Sequence, residues 1–179
     1  MALSSQTDMA VLGALSIQPM SGYALREAIG DVLGHFWSES FGQIYPTLRA
    51  LEREGLVVRA GTARAGGATF TVTDTGRHRL RELLTEPVRK VPPRNGLLLR
   101  LFFGRTLGSA ACRELIAGAR AAEVARLAEF DRLLADNDAE GEPDSPYIRM
   151  TILAGRHSAE AALRWADTCL ATLDEMERA

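Results

Sequence analysis

A mainly α protein, with one small β-hairpin near its middle and a helical second half, is the fold the 179 residues predict. Three observations carry that expectation. Apolar residues recur at helical spacing up to Leu51, the period drops to two between Leu56 and Val72, and beyond Pro87 the helical period returns. Pro87 and the pair Pro92-Pro93 interrupt the pattern and divide the chain into expected domains 1–86 and 87–179.

The elements follow in order. Asp8 to Ile17 sets Leu12 and Leu15 on one side and stops at Gln18-Pro19. Ser21 reads as the N-cap of a second helix, with Leu25, Ile29 and Val32 at i, i+4, i+7 spacing and Gly30 and Gly34 weakening its end. Ser40-x-x-Gln43 is a capping box for a third helix with Phe41, Ile44, Leu48 and Leu51 inward, and Gly55 terminates it. Leu56 to Arg59 and Thr69 to Val72 read as two strands joined by a glycine-rich loop, Ala60 to Ala68, with Arg64 near its tip. Thr73 or Asp74 caps a fourth helix through Leu80, Leu83 and Leu84.

The second domain begins with a short apolar segment, Leu97 to Leu107. A long helix follows from Ser109 to about Ala135, with Leu115, Ala119, Ala122, Leu127, Phe130 and Leu134 roughly on one side. Asp136 to Pro146 is acidic, contains Gly141, Pro143 and Pro146, and reads as a connecting loop. Tyr147 to about Met176 reads as one helix of roughly 30 residues, or ~45 Å at 1.5 Å per residue. So long a helix outruns the core one chain can wrap around it. Its apolar positions Ile152, Leu153, Leu163, Ala166, Leu170 and Leu173 therefore imply a second subunit.

Composition excludes several classes. There are 21 basic and 23 acidic residues, a net charge of -2, with 46% hydrophobic and 25% charged residues, which are ordinary globular proportions. Cys112 and Cys169 form no C-x-x-C and have no histidine pair nearby, so zinc fingers, other metal sites and thioredoxin-type chemistry are not expected. The most apolar run, Leu97 to Phe103, is too short for a membrane span and contains Arg100, and the first positive side chain is Arg26. A soluble, cytoplasmic protein is the expectation. The glycine loop lacks the Lys-Ser/Thr of a phosphate loop, and His35, His78 and His157 stand apart, so neither an enzyme nor a cofactor is expected.

Three helices followed by a hairpin is the order of a winged helix-turn-helix, whose third helix enters the DNA major groove while the hairpin flanks it. With Ile44, Leu48 and Leu51 inward, Gly42, Gln43, Tyr45, Pro46, Arg49 and Arg53 turn outward at 100° per residue. Gln43 suits an adenine edge, Arg49 a guanine or a phosphate, and Tyr45 offers a hydroxyl and a ring. Ser38 and Ser40 sit where phosphates approach the helix start. Pro46 removes one helix hydrogen bond and predicts a local kink, which a purely structural helix rarely accepts. A net negative charge opposes DNA binding, yet Arg59 to Arg81 holds five arginines against Asp74 alone, while Asp136 to Asp144 holds five acids and no base. Few phosphate contacts per subunit and a shallow salt dependence are the expectation.

Gly22-Tyr23-Ala24-Leu25, Ser40 to Leu48, Leu51-Glu52-Arg53-Glu54-Gly55-Leu56-Val57 and Phe70 to Arg77, in this order and spacing, resemble the PadR-type transcriptional regulators. The resemblance covers the chain, since relatives of this size carry a helical C-terminal dimerisation domain with a tryptophan late in the last helix, where Trp165 stands. It implies a homodimeric repressor on a pseudo-palindromic double-stranded DNA operator, released by a small aromatic or hydrophobic effector. By position, Tyr23 and Tyr45 would meet the DNA backbone, Gln43 with neighbours such as Thr47 and Arg49 would read bases, and Arg64 with Thr69 would brace the wing. Here the wing is less basic than the family's, and Thr69-Phe70 stands in place of an aromatic pair. The resemblance also places Leu12, Leu15, Leu163, Leu170 and Leu173 at the dimer interface. It makes Trp37, Tyr147, Arg156, His157 and Trp165 the candidates for holding the effector. A winged helix that binds another protein without reading an operator is the alternative; it would want an acidic or apolar third-helix face. A MarR-type regulator fits the winged core but not the long C-terminal helix pair.

Overall fold

Ser21 accepts a hydrogen bond from the Ala24 amide at 3.1 Å and opens a helix at the expected place, but the two residues at this point also do something the sequence did not announce. In the computed structural model, which describes residues 2–34, 36–37, 41–60, 68–88 and 94–178, Met20–Ser21 is a strand. The first half runs α1 (Ala2–Ile17), β1 (Met20–Ser21), α2 (Gly22–Ala28) with a π-helical turn at Ile29–Leu33, α3 (Phe41–Arg53), β2 (Val57–Ala60), β3 (Thr69–Val72) and α4 (Asp74–Thr85). The sheet is antiparallel with order β1-β3-β2, Met20 facing Phe70 and Val57 facing Val72. The expected two-stranded wing is thus three-stranded at its base. Two residues are too few to show a period of two.

The chain divides into two units, residues 1–90 and 91–179. In the first, α1 packs on α3, α4 and β3, and the core is Val11, Leu12, Leu15, Leu25, Ile44, Leu48, Leu51, Val57, Phe70, Val72 and Leu83. Leu12 and Leu15 are 0% and 1% exposed in this core, so a single chain already buries them, and they have no surface left for a dimer interface. α3 ends as its glycine predicts: Gly55 has φ 71°, and the Leu56 amide reaches back to the Leu51 carbonyl at 2.9 Å. Thr73, not Asp74, caps α4. Its hydroxyl accepts from the Gly76 amide at 3.0 Å and lies 2.8 and 3.1 Å from the Gly55 and Leu56 carbonyls, tying the end of α3 to the start of α4.

The second unit contains α5 (Gly96–Phe102), α6 (Gly104–Leu107), α7 (Ser109–Glu140) and α8 (Ser145–Arg178). The acidic loop expected from Asp136 is absent. α7 continues to Glu140, the turn is confined to 141–144 with Gly141 at φ 62°, and α8 starts two residues before Tyr147. Partners across the hairpin hold the acidic stretch helical: Asp138 pairs with Arg149, and buried Asn137 donates to the Ser145 carbonyl at 3.2 Å.

α7 and α8 run antiparallel, and the surplus apolar length of α8 is largely covered within the subunit. Ile152, Ala159, Ala166 and Leu173 are buried at a spacing of seven, the seam of a coiled coil, against Cys112, Ile116 and Phe130. Leu173, 8% exposed, belongs to that seam and not to a free face; Leu170 packs partly on it, and Leu163 is half-buried. Gly155 faces Phe130 so closely that a Cβ there would lie 2.4 Å from the ring. Ion pairs flank the seam: Arg113–Asp174 at 2.7 Å, Arg120–Asp167 at 2.6 Å, Asp131–Arg156 at 2.8 Å and Asp138–Arg149.

These pairs expose a repeat. Read N- to C-terminally, α7 carries Arg113, Arg120, Asp131 and Asp138, and α8 carries Arg149, Arg156, Asp167 and Asp174, each 36 positions further on. Ser109, Ile116, Leu127 and Leu134 recur likewise as Ser145, Ile152, Leu163 and Leu170. The charge order is self-complementary in antiparallel register, so each of these arginines meets an acid of the other helix. Cys112 and Cys169 are free thiols, and among the described residues no helix is long and apolar enough to cross a membrane.

Candidate nucleic-acid interface

α3 sorts its residues as helical geometry demands. Ile44, Leu48 and Leu51 are buried, while Gly42, Gln43, Tyr45, Pro46, Arg49 and Arg53 are exposed and Thr47 is half-buried. The helix is continuous through Pro46, whose missing N–H leaves the Gly42 carbonyl without its intrahelical partner on the exposed side. Ser38, Ser40 and Arg64, with the wing loop 61–67 and Pro92-Pro93, lie outside the described residues, as do the side chains of Val32 and Phe41.

The start of α2, the exposed flank of α3 and the sheet enclose a cleft of about 310 Å³, lined by Ser21, Gly22, Tyr23, Tyr45, Leu48, Arg49, Arg59, Ala68 and Phe70. Two of the expected DNA residues on α3, Tyr45 and Arg49, meet there with Tyr23 of α2. Gly22 makes this meeting feasible: a Cβ at that position would lie 2.8 Å from the Tyr45 ring. Tyr23 is 60% exposed. Its hydroxyl hydrogen-bonds the Glu27 carboxylate one turn along, and that bond, reinforced by the negative charge, holds the phenol above its usual pKa. Thr69 is half-buried in β3 opposite Ser21 and Ala60 and does not line the cleft.

Arg59 is the cleft residue that reading the third helix alone does not find. Its Nε and Nη2 lie 3.2 Å from the two carboxylate oxygens of Glu52, and its guanidinium sits 5.1 Å from the centre of the Phe70 ring. The signal was present in the sequence as the first of the five arginines from Arg59 to Arg81, but charge counting does not say which of them shares a surface with α3. Among the others, Arg77 reaches the Ser16 carbonyl at 3.5 Å and Arg79 pairs with Glu82 at 2.9 Å.

The expected effector residues do not gather in one place. Trp37 packs partly buried against the core of the first unit. Tyr147, 68% exposed, and Trp165 stand 18 positions apart on α8, or ~27 Å at 1.5 Å per residue, so one chain cannot bring both to one small molecule. Arg156 is occupied: it pairs with Asp131 and with Glu160 at 2.6 Å, the Asp131 hydrogen bond foremost in raising its pKa. His157 lies 3.1 Å from the same Glu160 and, as its hydrogen-bond partner, is the main cause holding that carboxyl below its usual range. Trp165 lines a cavity of about 300 Å³ with Asn95, Leu97, Leu98, Ala119, Arg120, Glu123, Ala162 and Ala166.

A winged helix with an exposed polar third-helix face, followed by a helical hairpin unit, defines a winged-helix regulator of the two-domain kind. Residues 11–82 match the transcriptional regulator PadR-like family, and residues 93–174 match the virulence activator alpha C-terminal family. The chain thus carries a PadR-like regulator domain followed by a virulence activator alpha C-terminal domain. The negative transcriptional regulator PadR of Bacillus subtilis is 25% identical over 178 residues, covering 93% of this chain and 96% of that protein. The PadR-like transcriptional regulator BC1756 of Bacillus cereus superimposes with a TM-score of 0.81 at 28% identity, over 95% of this chain and 99% of that one. Bacillus subtilis PadR bound to operator DNA superimposes with a TM-score of 0.80 at 23% identity, over 93% and 98% of the two chains. The same protein with p-coumaric acid gives 0.77 at 23% identity and the same coverage.

Proposed function

We propose that this protein is a homodimeric repressor, acting in the cytoplasm without catalysis or a cofactor. It grips a pseudo-palindromic operator with α3 and the wing, and releases it when a small aromatic or hydrophobic molecule binds the second unit. One observation carries the reading: Gln43, Tyr45 and Arg49 are all exposed on α3, outside its buried stripe, and Tyr45 and Arg49 converge with Tyr23 on a cleft bounded by the sheet. In this reading Gln43, Thr47 and Arg49 face the bases, and Tyr23 and Tyr45 the backbone. An acidic or apolar α3 face, which a protein-docking winged helix would want, is not what these residues make. The likeness to Bacillus subtilis PadR, solved with operator DNA and with p-coumaric acid, supports the same assignment. Selection from a random duplex library is expected to return a two-fold pseudo-palindrome with half-sites about one helical turn apart; a single asymmetric half-site contradicts the dimeric reading.

Two further outcomes are expected. Sedimentation at low micromolar concentration should show a dimer, held by the surface of the second unit that its own seam leaves uncovered, Leu163 included. A stable monomer rules this out. The cavity beside Trp165 is the effector site favoured here, because its walls of Leu97, Leu98, Ala119 and Ala162 suit an apolar molecule. A bound aromatic effector should quench the Trp165 fluorescence, with the quenching kept in Trp37→Phe and lost in Trp165→Phe. Quenching that survives Trp165→Phe moves the site elsewhere.

A further inference from the structure

We propose that Arg59, at the base of the wing, is a phosphate-binding residue: it receives one phosphodiester of the DNA backbone in the cleft it shares with Tyr23, Tyr45 and Arg49. The inference rests on α3 being the DNA-facing helix and adds the anchor that the helix does not supply.

Tyr23, Tyr45, Arg49 and Arg59, four side chains able to donate a hydrogen bond to an anion, are among the residues lining the cleft, and no acidic residue is; the carboxylates of Glu52 and Glu27 engage Arg59 and the Tyr23 hydroxyl. A cavity of about 310 Å³ admits one phosphate with part of its flanking sugars. Arg59 is prepared for the task by its neighbours. Glu52 takes the Nε–Nη2 edge of the guanidinium, and Phe70 supports its plane. An arginine has five N–H donors in a fixed fork, so the Nη1 side remains for a second acceptor. Half of the Arg59 side chain is exposed (49%), against 32% for Glu52. At such exposure an ion pair stabilises a fold little, so orienting the guanidinium is the consequential effect of Glu52. Position in the strand contributes as well: Arg59 lies opposite Phe70 in the β2–β3 ladder, so its backbone is fixed independently of the wing loop.

The test uses the full-length dimer and an operator selected as above. Affinity is measured at several salt concentrations for wild type, Arg59→Ala, Arg59→Lys and Arg49→Ala, each checked by thermal melting. Arg59→Ala is expected to bind about tenfold more weakly, with a slope of log affinity against log salt shallower by about one per subunit. Arg59→Lys keeps the charge and should keep most of the slope while losing part of the affinity, because an ammonium lacks the fork. Wild-type affinity and slope in Arg59→Ala, alongside weakened Arg49→Ala, overturns the Arg59 assignment alone. Weaker binding with a lowered melting temperature and an unchanged slope makes Arg59 a structural residue and overturns it too. If wild type selects no sequence and Arg49→Ala binds DNA as wild type does, the reading of α3 itself fails.

Discussion

Gly76→Ala is expected to cost the first unit about 3 kcal/mol, a large fraction of the roughly 5–15 kcal/mol by which a domain is stable. Gly76 lies in the first turn of α4, where a Cβ would come within 2.0 Å of the Leu56 carbonyl oxygen and 2.8 Å of Val72 Cγ2. Neither neighbour can yield easily. The Leu56 carbonyl accepts from the Thr73 amide at 3.0 Å and lies 3.1 Å from the Thr73 hydroxyl, and Val72 is 5% exposed in the core. The start of α4 must therefore move outward, breaking the Thr73 cap. Overpacking costs about 1–3 kcal/mol and a lost cap about 1 kcal/mol. At roughly 4–8 °C per kcal/mol, the melting temperature of the unit should fall by more than ~10 °C. Gly118→Ala is the control: its added Cβ meets nothing within 4 Å, in the interior of α7, and should stabilise slightly. Equal melting temperatures for the two variants would refute the packing argument.

Arg49→Ala should weaken operator binding by about 10- to 100-fold per half-site, the range of one lost bidentate base contact worth about 1–3 kcal/mol. Arg49 is exposed, and no carboxylate among the described residues pairs with it, so its removal should leave the fold and the dimer intact. Tyr45→Ala should weaken binding less and similarly on all sequences, because a backbone contact positions the helix without reading a base. Tyr45→Phe separates the hydroxyl from the ring that packs against Gly22. Gel-shift titration of the three variants on the selected operator and on an unrelated duplex measures both effects. Unchanged affinity in Arg49→Ala and Tyr45→Ala removes α3 from the readout.

Much of this molecule is legible in one dimension. The inward and outward sides of α3 follow from the spacing of Ile44, Leu48 and Leu51, and its end from Gly55. The strands β2 and β3 follow from a change of period. What escaped has physical reasons. β1 is two residues long and exists because β3 offers it hydrogen-bond partners. The stretch Asp136 to Glu140 looks like a loop by composition, and becomes helix because Arg149 and the Ser145 carbonyl answer Asp138 and Asn137 from across the turn. The recurrence of Arg-Arg-Asp-Asp in α7 and α8 was open to reading in the sequence, but as scattered surface charges it carries no meaning until the two helices lie antiparallel.

The site divides along the same line. Local spacing determines that Gln43, Tyr45 and Arg49 fall outside the buried stripe of Ile44, Leu48 and Leu51, because a helix has a fixed rotation per residue. Which other residues join them is a tertiary matter. Tyr23 and Arg59 come to Tyr45 and Arg49 from different elements, by way of a glycine at position 22 and a strand register that sets Arg59 over Phe70. The same holds for leucines. The sequence by itself determined that Leu12, Leu15 and Leu173 must be buried, since each belongs to an apolar helical stripe. Only the tertiary structure decided that their own subunit buries them, because burial is set by which surfaces meet and not by which residues seek cover.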